Sequence, residues 1–365
     1  MRNFTLLLFC ILFLQVQAQI RITDQTDNQP VAFAHLLTDD GELAATSDMN
    51  GVVDTTLLGK TLLTGNKHIT IQQIAYETLV LSSAELRNAQ ILSMHRRIIN
   101  LPEVIIDRKS KEAQYIVLKG FFRSYHLENG TPKYYSDGIG EYYISTDGND
   151  IKFKMREFRT FRNNSQIVKV KKRTFVVVIG MLCIPQLNKG KNLSDQLGKN
   201  YSFIPTPSGA DIIRDKVRAG FVRITPSMGS IQTNIDLLSP KKEKVFSILN
   251  YIVRIVSNNH SEVFRTTDLN QLTYDNLESI TNTADVYFKH KKDPVDVENT
   301  GLSEFYIYET TIIPKSSLKG IKFNNLGIKH THSYTHEYWK ELPMHHIPPL
   351  SKNIEEALGK SLIMY

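Results

Sequence analysis

Residues 151–156 read Ile-Lys-Phe-Lys-Met-Arg, so that apolar and basic residues alternate with a period of two. This period is typical of a β-strand, in which successive side chains point to opposite faces of the sheet. A second stretch, around residues 169–173, has the same period. If the two strands pair, they form one basic sheet face, which consists of Lys152, Lys154, Arg156, Lys169, Lys171 and Arg173.

This predicted basic face has two interpretations. It is either an ordinary solvated face, or a surface that meets an anionic partner such as lipopolysaccharide, an acidic glycan or phospholipid headgroups. The chain of 365 residues carries a net charge of +7, which allows either. We expect no nucleic-acid partner, because other features indicate export.

Strand signals continue on both sides of the basic stretch. The chain has 16 tyrosines and 17 phenylalanines, and it is long enough for two or three domains. From residue 19 to 107, several short apolar runs are separated by polar turns, which predicts a β-sandwich. Ile20-Arg21-Ile22 alternates like an edge strand. We therefore expect a mainly β fold, with an N-terminal sandwich followed by a larger β-rich α+β domain at 108–365.

A set of motifs in this first segment carries a family resemblance. They are Pro30-Val31, Thr46-Ser47-Asp48-x-Asn50-Gly51-Val52-Val53, Ile74-Ala75-Tyr76-Glu77 and Leu101-Pro102-Glu103-Val104-Ile105-Ile106. Their order resembles the carboxypeptidase regulatory-like domain, a transthyretin-like sandwich of many exported Bacteroidetes proteins. The chain departs from that pattern at Asp24 and Ala75, where glycine is common. The resemblance implies a structural or adhesive module without peptidase residues.

The turn at Asp48, Asn50 and Gly51 is also predicted from its chemistry. Asp48 and Asn50 can hydrogen-bond the backbone of the turn, and Gly51 tolerates a positive φ. A calcium loop would need further acidic ligands and a late glutamate. Because these are absent, we assign the three residues a structural role.

The C-terminal segment contains clear and ambiguous signals. Glu128-Asn129-Gly130-Thr131 predicts a turn, and residues 175–184 predict a buried strand. Residues 245–256 have apolar side chains at helical spacing but are rich in β-formers, so helix and strand both stay open. Ser351 and Gly359 bracket a predicted final helix.

The N-terminus has the layout of a secretory signal peptide. A basic Arg2 precedes an apolar run, and Val16-Gln17-Ala18 provides small residues for cleavage, so we expect residues 1–18 to be removed. Cleavage would also remove Cys10 and leave Cys183 as the single cysteine. We expect an exported protein that is periplasmic, associated with the outer membrane or on the cell surface, with no transmembrane helix in the mature chain.

Histidines cluster near the C-terminus. His330 and His332 share one face of a predicted strand, and His336 or Glu337 could complete a three-ligand metal site. The spacing matches no metalloenzyme motif, and a polar segment whose histidines bind backbone groups is the alternative. There is also no G-x-S-x-G nucleophile motif and no phosphate-binding loop.

The sequence therefore favours an exported, non-enzymatic envelope or cell-surface protein without a cofactor. Its partner would be a glycan, another envelope protein or an anionic membrane surface. One alternative is a lipoprotein-carrier-like domain that holds an apolar ligand, and another is a metal-dependent enzyme that uses the histidine cluster.

Overall fold

The computed structural model describes residues 19–39, 43–55, 58, 68–97, 105–106, 112–165, 182–248, 250–292, 294–329, 331–345, 347–350 and 352–365. The described chain is mainly β, which confirms the predicted fold class. The predicted signal peptide and the basic stretch at 169–173 lie outside the described residues.

Two small sheets form the N-terminal part. The first has the order β4-β1-β7, and the second has the order β3-β2-β5-β6. A short helix, α1 (Ser83–Asn88), follows β6 and begins with a capping box between Ser82 and Glu85. The strands are β1 (Ile20–Asp24), β2 (His35–Thr38), β3 (Leu43–Thr46), β4 (Val52–Val53), β5 (His68–Gln72), β6 (Leu79–Ser82) and β7 (Ile91–Met94).

Apolar side chains from both small sheets meet in one core, in which Ile22, Leu36, Ile69 and Leu92 are buried. We call residues 19–97 the N-terminal sandwich. Its first strand differs from the edge strand expected from the sequence, because β1 lies between β4 and β7. β1 pairs in parallel with β7, about 70 residues later in the chain, and no local sequence pattern predicts a pairing over that distance.

The remaining strands join one long antiparallel sheet. Its main path is β12-β13-β14-β15-β17-β18-β19-β9-β10-β11-β20, with β16 paired to β17 and β8 paired to β19. The strands are β8 (Ile105–Ile106), β9 (Gln114–Glu128), β10 (Thr131–Ser145), β11 (Ile151–Asn163), β12 (Tyr201–Thr206), β13 (Gly209–Arg214), β14 (Val217–Thr225), β15 (Ser230–Asp236), β16 (Lys244–Ile248), β17 (Tyr251–Phe264), β18 (Leu277–His290), β19 (Val297–Pro314) and β20 (Leu362–Met364).

The inner face of the long sheet, which carries Phe122 and Phe305, is filled by apolar side chains. Leu182 and Ile184, from the end of the predicted strand at 175–184, pack there. The main-chain N–H of Cys183 donates to the hydroxyl of Ser124 at 3.0 Å. Burial raises the pKa of the Cys183 thiol. Helix α2 (Leu193–Leu197) contributes Leu193 to the same core.

The outer face carries Phe121 and Tyr125 and is covered by two separate parts of the chain. Ile74 of the N-terminal sandwich packs against it, and Phe33 packs against Phe221 of β14. C-terminal residues that include Tyr338 and Ile354 cover the rest. The long sheet is therefore sandwiched between two cores.

The ambiguous stretch at 245–256 forms strands, because β16 and β17 make an antiparallel pair with Val245 opposite Arg254. The final helix α3 (Lys352–Ala357) forms where the sequence predicts it. Short 3-10 helices span Pro226–Met228, Leu269–Gln271, Tyr274–Asn276, Lys315–Leu318, Tyr338–Lys340 and Leu342–His345. None of the helices in the described part of the chain has the length and hydrophobicity that a membrane crossing requires.

Candidate functional site

A cleft of about 780 Å³ lies between the N-terminal sandwich and the outer face of the long sheet. The sandwich contributes one wall through β3 and the following turn, and β17, β18 and β19 contribute the other. Its lining includes Phe33, Asp48, Asn129, Asp236, Ser257, Asn259, Asp285, Tyr287 and Glu298. The volume lies in the range of small-molecule binding sites.

The cleft is acidic. Asp48, Asp236, Asp285 and Glu298 line it, and none of the described lining residues is lysine, arginine or histidine. Burial raises the pKa of Asp236 and of Glu298. The local sign of charge is thus opposite to that of the chain as a whole.

Asp285 is held in place by two hydroxyl groups. Ser257 Oγ donates to one carboxylate oxygen at 2.5 Å, and Thr300 Oγ1 donates to the other at 2.6 Å. Each carboxylate oxygen can accept a further hydrogen bond. Asp285 is therefore an oriented acceptor at the cleft wall.

Glu298 lies directly opposite Tyr287 across the β18–β19 pair. Burial and the neighbouring Glu298 raise the pKa of Tyr287 to about 12. The main chain of Glu298 is hydrogen-bonded to Asn129 at 2.9 and 3.0 Å. Asn129 and Gly130 form the β9–β10 turn with φ values of 49° and 78°, as an Asn-Gly pair favours.

Asn259 of β17 occupies a central position. Its side chain lines the cleft and two adjoining smaller cavities. Among the described residues, none hydrogen-bonds its side-chain amide, whereas its neighbours Ser257 and Ser261 both have side-chain partners. An amide supplies both donors and acceptors, so Asn259 is available to a ligand.

The predicted turn borders this cleft. Asp48 Oδ1 accepts the main-chain N–H groups of Asn50 and Val52, each at 2.8 Å. Gly51 has a φ of 73°, and a Cβ there would lie 2.4 Å from the carbonyl oxygen of Ile22. Gly51 thus allows the main chain to make this tight turn close to Ile22. Asp48 stabilises the turn and also contributes to the cleft wall.

The basic face predicted from residues 151–156 is partly neutralised where it is described. Lys152 Nζ lies 2.8 Å from Asp150 Oδ2, and Arg156 Nη2 lies 2.6 Å from Glu141 Oε2. Lys154 lies opposite Glu141 on β10. Lys169, Lys171 and Arg173 lie outside the described residues, so their pairing with this strand stays a prediction.

The histidine cluster is spread out in the structure. His332 Nδ1 lies 2.7 Å from the carbonyl oxygen of Tyr365, whereas His336 Nδ1 lies 3.2 Å from Glu157. Glu337 pairs with Lys340 at 2.5 Å. His330 lies outside the residues that the structure describes. The described residues contain no group of three or more His, Cys, Asp or Glu side chains that could hold a metal ion.

The sequence predicts none of the cleft residues as lining a binding site, and it predicts Asp48 only as a structural turn residue. Asp285, Glu298 and Asn259 come from different strands and meet only through strand register and the docking of the sandwich. No short motif carries that information. The three carboxylates of the long sheet, Asp236, Asp285 and Glu298, are single residues on β15, β18 and β19, so they form no local sequence pattern.

No model of a known protein family matches the chain, and a search of curated proteins found no match. The resemblance of residues 19–107 to the carboxypeptidase regulatory-like domain therefore stays a prediction.

Proposed function

We propose that this protein is an exported, non-enzymatic envelope protein that binds a neutral glycan in the cleft between the sandwich and the long sheet. The observation that carries the proposal is the chemistry of the cleft wall, where oriented carboxylates and a free amide line a volume of about 780 Å³. Export rests on the predicted signal peptide, and the resemblance of the sandwich to an adhesive module agrees with a binding role.

A glycan matches this wall better than other ligand classes do. Sugar hydroxyls donate hydrogen bonds to carboxylates such as Asp285, and they both donate to and accept from an amide such as Asn259. Tyr287, which is only half-buried, offers aromatic surface to the apolar C–H face of a sugar. An anionic ligand would be repelled by the four carboxyl groups, and we therefore favour a neutral glycan.

The carrier alternative has less support. A carrier needs an apolar cavity, and the inner face of the described sheet is instead packed with side chains such as Phe122, Phe264 and Phe305. An envelope protein as partner stays an open alternative, which the experiment below separates from a glycan.

The test is affinity electrophoresis through gels that contain dextran, mannan or xylan. We expect at least one polysaccharide to retard the protein, and Asn259→Ala to abolish the retardation. Asn258→Ala is the matched control, because the adjacent residue points to the other face of the sheet and does not line the cleft. Unretarded migration in all three gels, or equal retardation of both variants, would contradict the proposal.

A further inference from the structure

Two turns lie side by side at one end of the long sheet. β17 and β18 are paired to their ends, where Tyr251 lies opposite His290. The main-chain N–H of Lys291 donates to the carbonyl oxygen of Asn250 at 2.9 Å. The β16–β17 turn is thereby fixed to the β18–β19 turn. We call residues 244–248, 250–252, 289–292 and 294–296 the lysine-rich tip.

The tip exposes large apolar side chains on both turns. On β16 and β17, the exposed fractions are 53% for Val245, 54% for Ile248 and 38% for Ile252. Val295, on the other turn, is 69% exposed. Phe246 adds an aromatic ring, and since it follows Val245 directly, the two side chains point to opposite faces of β16. The apolar surface therefore surrounds the tip and does not form one flat face.

The same tip is basic. Its lysines are Lys244, Lys289, Lys291 and Lys292. Among the described residues, only Lys289 of these has an ion-pair partner, Asp296 at 3.7 Å. The nearby carboxylates of Glu243 and Asp296 also lie 3.9 and 3.3 Å from Arg254, which takes up part of their charge.

Protection of an edge strand does not explain why exposed apolar side chains and lysines occur together at the tip. Lysines on a free edge such as β16 discourage pairing with other strands. However, Val295, Lys291 and Lys292 belong to the neighbouring turn and protect no strand edge. Exposed apolar groups ringed by lysines match a surface with an apolar interior and negatively charged headgroups.

We propose that the lysine-rich tip docks the protein on an anionic phospholipid bilayer, with Val245, Phe246, Ile248 and Val295 in the boundary between headgroups and acyl chains. The lysines contact the lipid phosphates. A bilayer accepts apolar side chains from all sides of the tip, whereas a protein partner docking on one face of β16 would leave the opposite face exposed. The proposal is independent of glycan binding, although Val256 and Ser257, which follow the tip on β17, line the cleft.

The test is co-sedimentation with vesicles of phosphatidylcholine alone and of phosphatidylcholine with phosphatidylglycerol. We expect the wild type to bind only the anionic vesicles strongly. Each lysine near a charged surface contributes roughly a fivefold change in affinity, so Lys291→Ala/Lys292→Ala should weaken binding roughly 25-fold. Phe246→Ser/Ile248→Ser should weaken it by roughly tenfold or more, because the apolar anchors are lost.

Matched controls separate the tip from the rest of the surface. Lys319→Ala/Lys322→Ala removes the same charge elsewhere, and Ile204→Ser/Val217→Ser removes apolar groups that are 53% and 45% exposed on other strands. Both controls should bind as the wild type does. The proposal is overturned if the wild type does not bind the anionic vesicles, or if the control variants lose as much vesicle binding as the tip variants do. The proposal would also be overturned if removing the lysines weakens vesicle binding but Phe246→Ser/Ile248→Ser does not. That result indicates electrostatic adsorption without insertion of the apolar side chains.

The tip could instead bind a second copy of the chain. Sedimentation velocity tests this, because it measures whether the protein is a monomer or a dimer. A wild type that is monomeric without vesicles supports the bilayer. A dimer that Phe246→Ser/Ile248→Ser converts to monomer, together with absent vesicle binding, would overturn the proposal in favour of self-association.

Discussion

Asp137 and Arg159 lie directly opposite each other on β10 and β11 and are joined by two hydrogen bonds of 2.8 and 2.9 Å. Tyr135 and Tyr338 each donate a hydroxyl to the same carboxylate at 2.8 Å. The Arg159 guanidinium lies 4.0 Å from the ring centroid of Trp339. The pair thus ties Tyr338 and Trp339, which cover part of the outer face, to the long sheet.

We expect Asp137→Ala to destabilise the protein by about 3–5 kcal/mol, because the buried Arg159 is left without its carboxylate. The control is Asp211→Ala, which breaks a pair with Arg218 of similar length, 2.8 Å, at an exposed site. That change should cost less than about 1 kcal/mol. Urea unfolding of the three proteins measures the difference, and equal losses would contradict a special role for the buried pair.

The turn at Gly51 gives a second test of stability. Gly51→Ala meets both a positive φ and the carbonyl oxygen of Ile22, so it should cost more than the about 1–2 kcal/mol of a left-handed residue alone. Gly229 has a φ of 61° but open space around its Cβ position. Gly229→Ala therefore reports the backbone cost by itself. If thermal unfolding shows the same loss of stability for both variants, the close approach to Ile22 adds nothing to the cost of the left-handed backbone.

His35 gives a pH dependence. It is buried between Thr46 and Thr283, and burial lowers its pKa from 6.5 to about 4, against the opposing influence of Asp285. Between these values the unfolded chain binds a proton that the folded chain does not, so stability falls as the pH falls from 6.5 towards 4. At about 1.4 kcal/mol per pKa unit, the loss is about 3 kcal/mol.

Urea unfolding across this pH range should show that His35→Gln has a smaller acid loss than the wild type. His68→Gln is the control, because His68 is on the same sandwich and its side chain is 63% exposed. It should retain the wild-type pH dependence. An unchanged acid loss in His35→Gln would contradict the assignment.

Local signals in the sequence predict local structure well. The mainly β fold class follows from alternation and turn residues, and the positive φ values of Gly51 and Gly130 fall where the sequence places turns. The stretch at 245–256 could not be assigned, because its apolar spacing fits a helix while its β-branched residues fit a strand. Residues 245–248 form a hairpin with 251–254, and β17 also pairs with β18, so pairing within the sheet makes the stretch strand.

Contacts between distant strands are the part that sequence cannot supply. Arg123 lies opposite Glu304, and His35 meets Thr283, across 181 and 248 positions. A shift of one residue in register would move every such side chain to the other face. The cleft depends on these registers, which explains why the sequence does not predict Asn259 and Glu298 as cleft residues, whereas the turn at Asp48 is local and is predicted as a turn.

The two basic surfaces of the chain should differ in their response to charge removal. On the predicted basic face, Lys152 already pairs with Asp150, so its charge is partly neutralised, and Lys154 lies at the strand position opposite Glu141. At the lysine-rich tip, Lys291 and Lys292 pair with no described residue. Lys152→Ala/Lys154→Ala should therefore weaken adsorption to anionic vesicles less than Lys291→Ala/Lys292→Ala, although both remove two charges. Co-sedimentation at low and high salt measures both, and both losses should shrink as salt screens the charges. The reverse order of effects would assign anionic-surface binding to the strand at 151–156 and not to the tip.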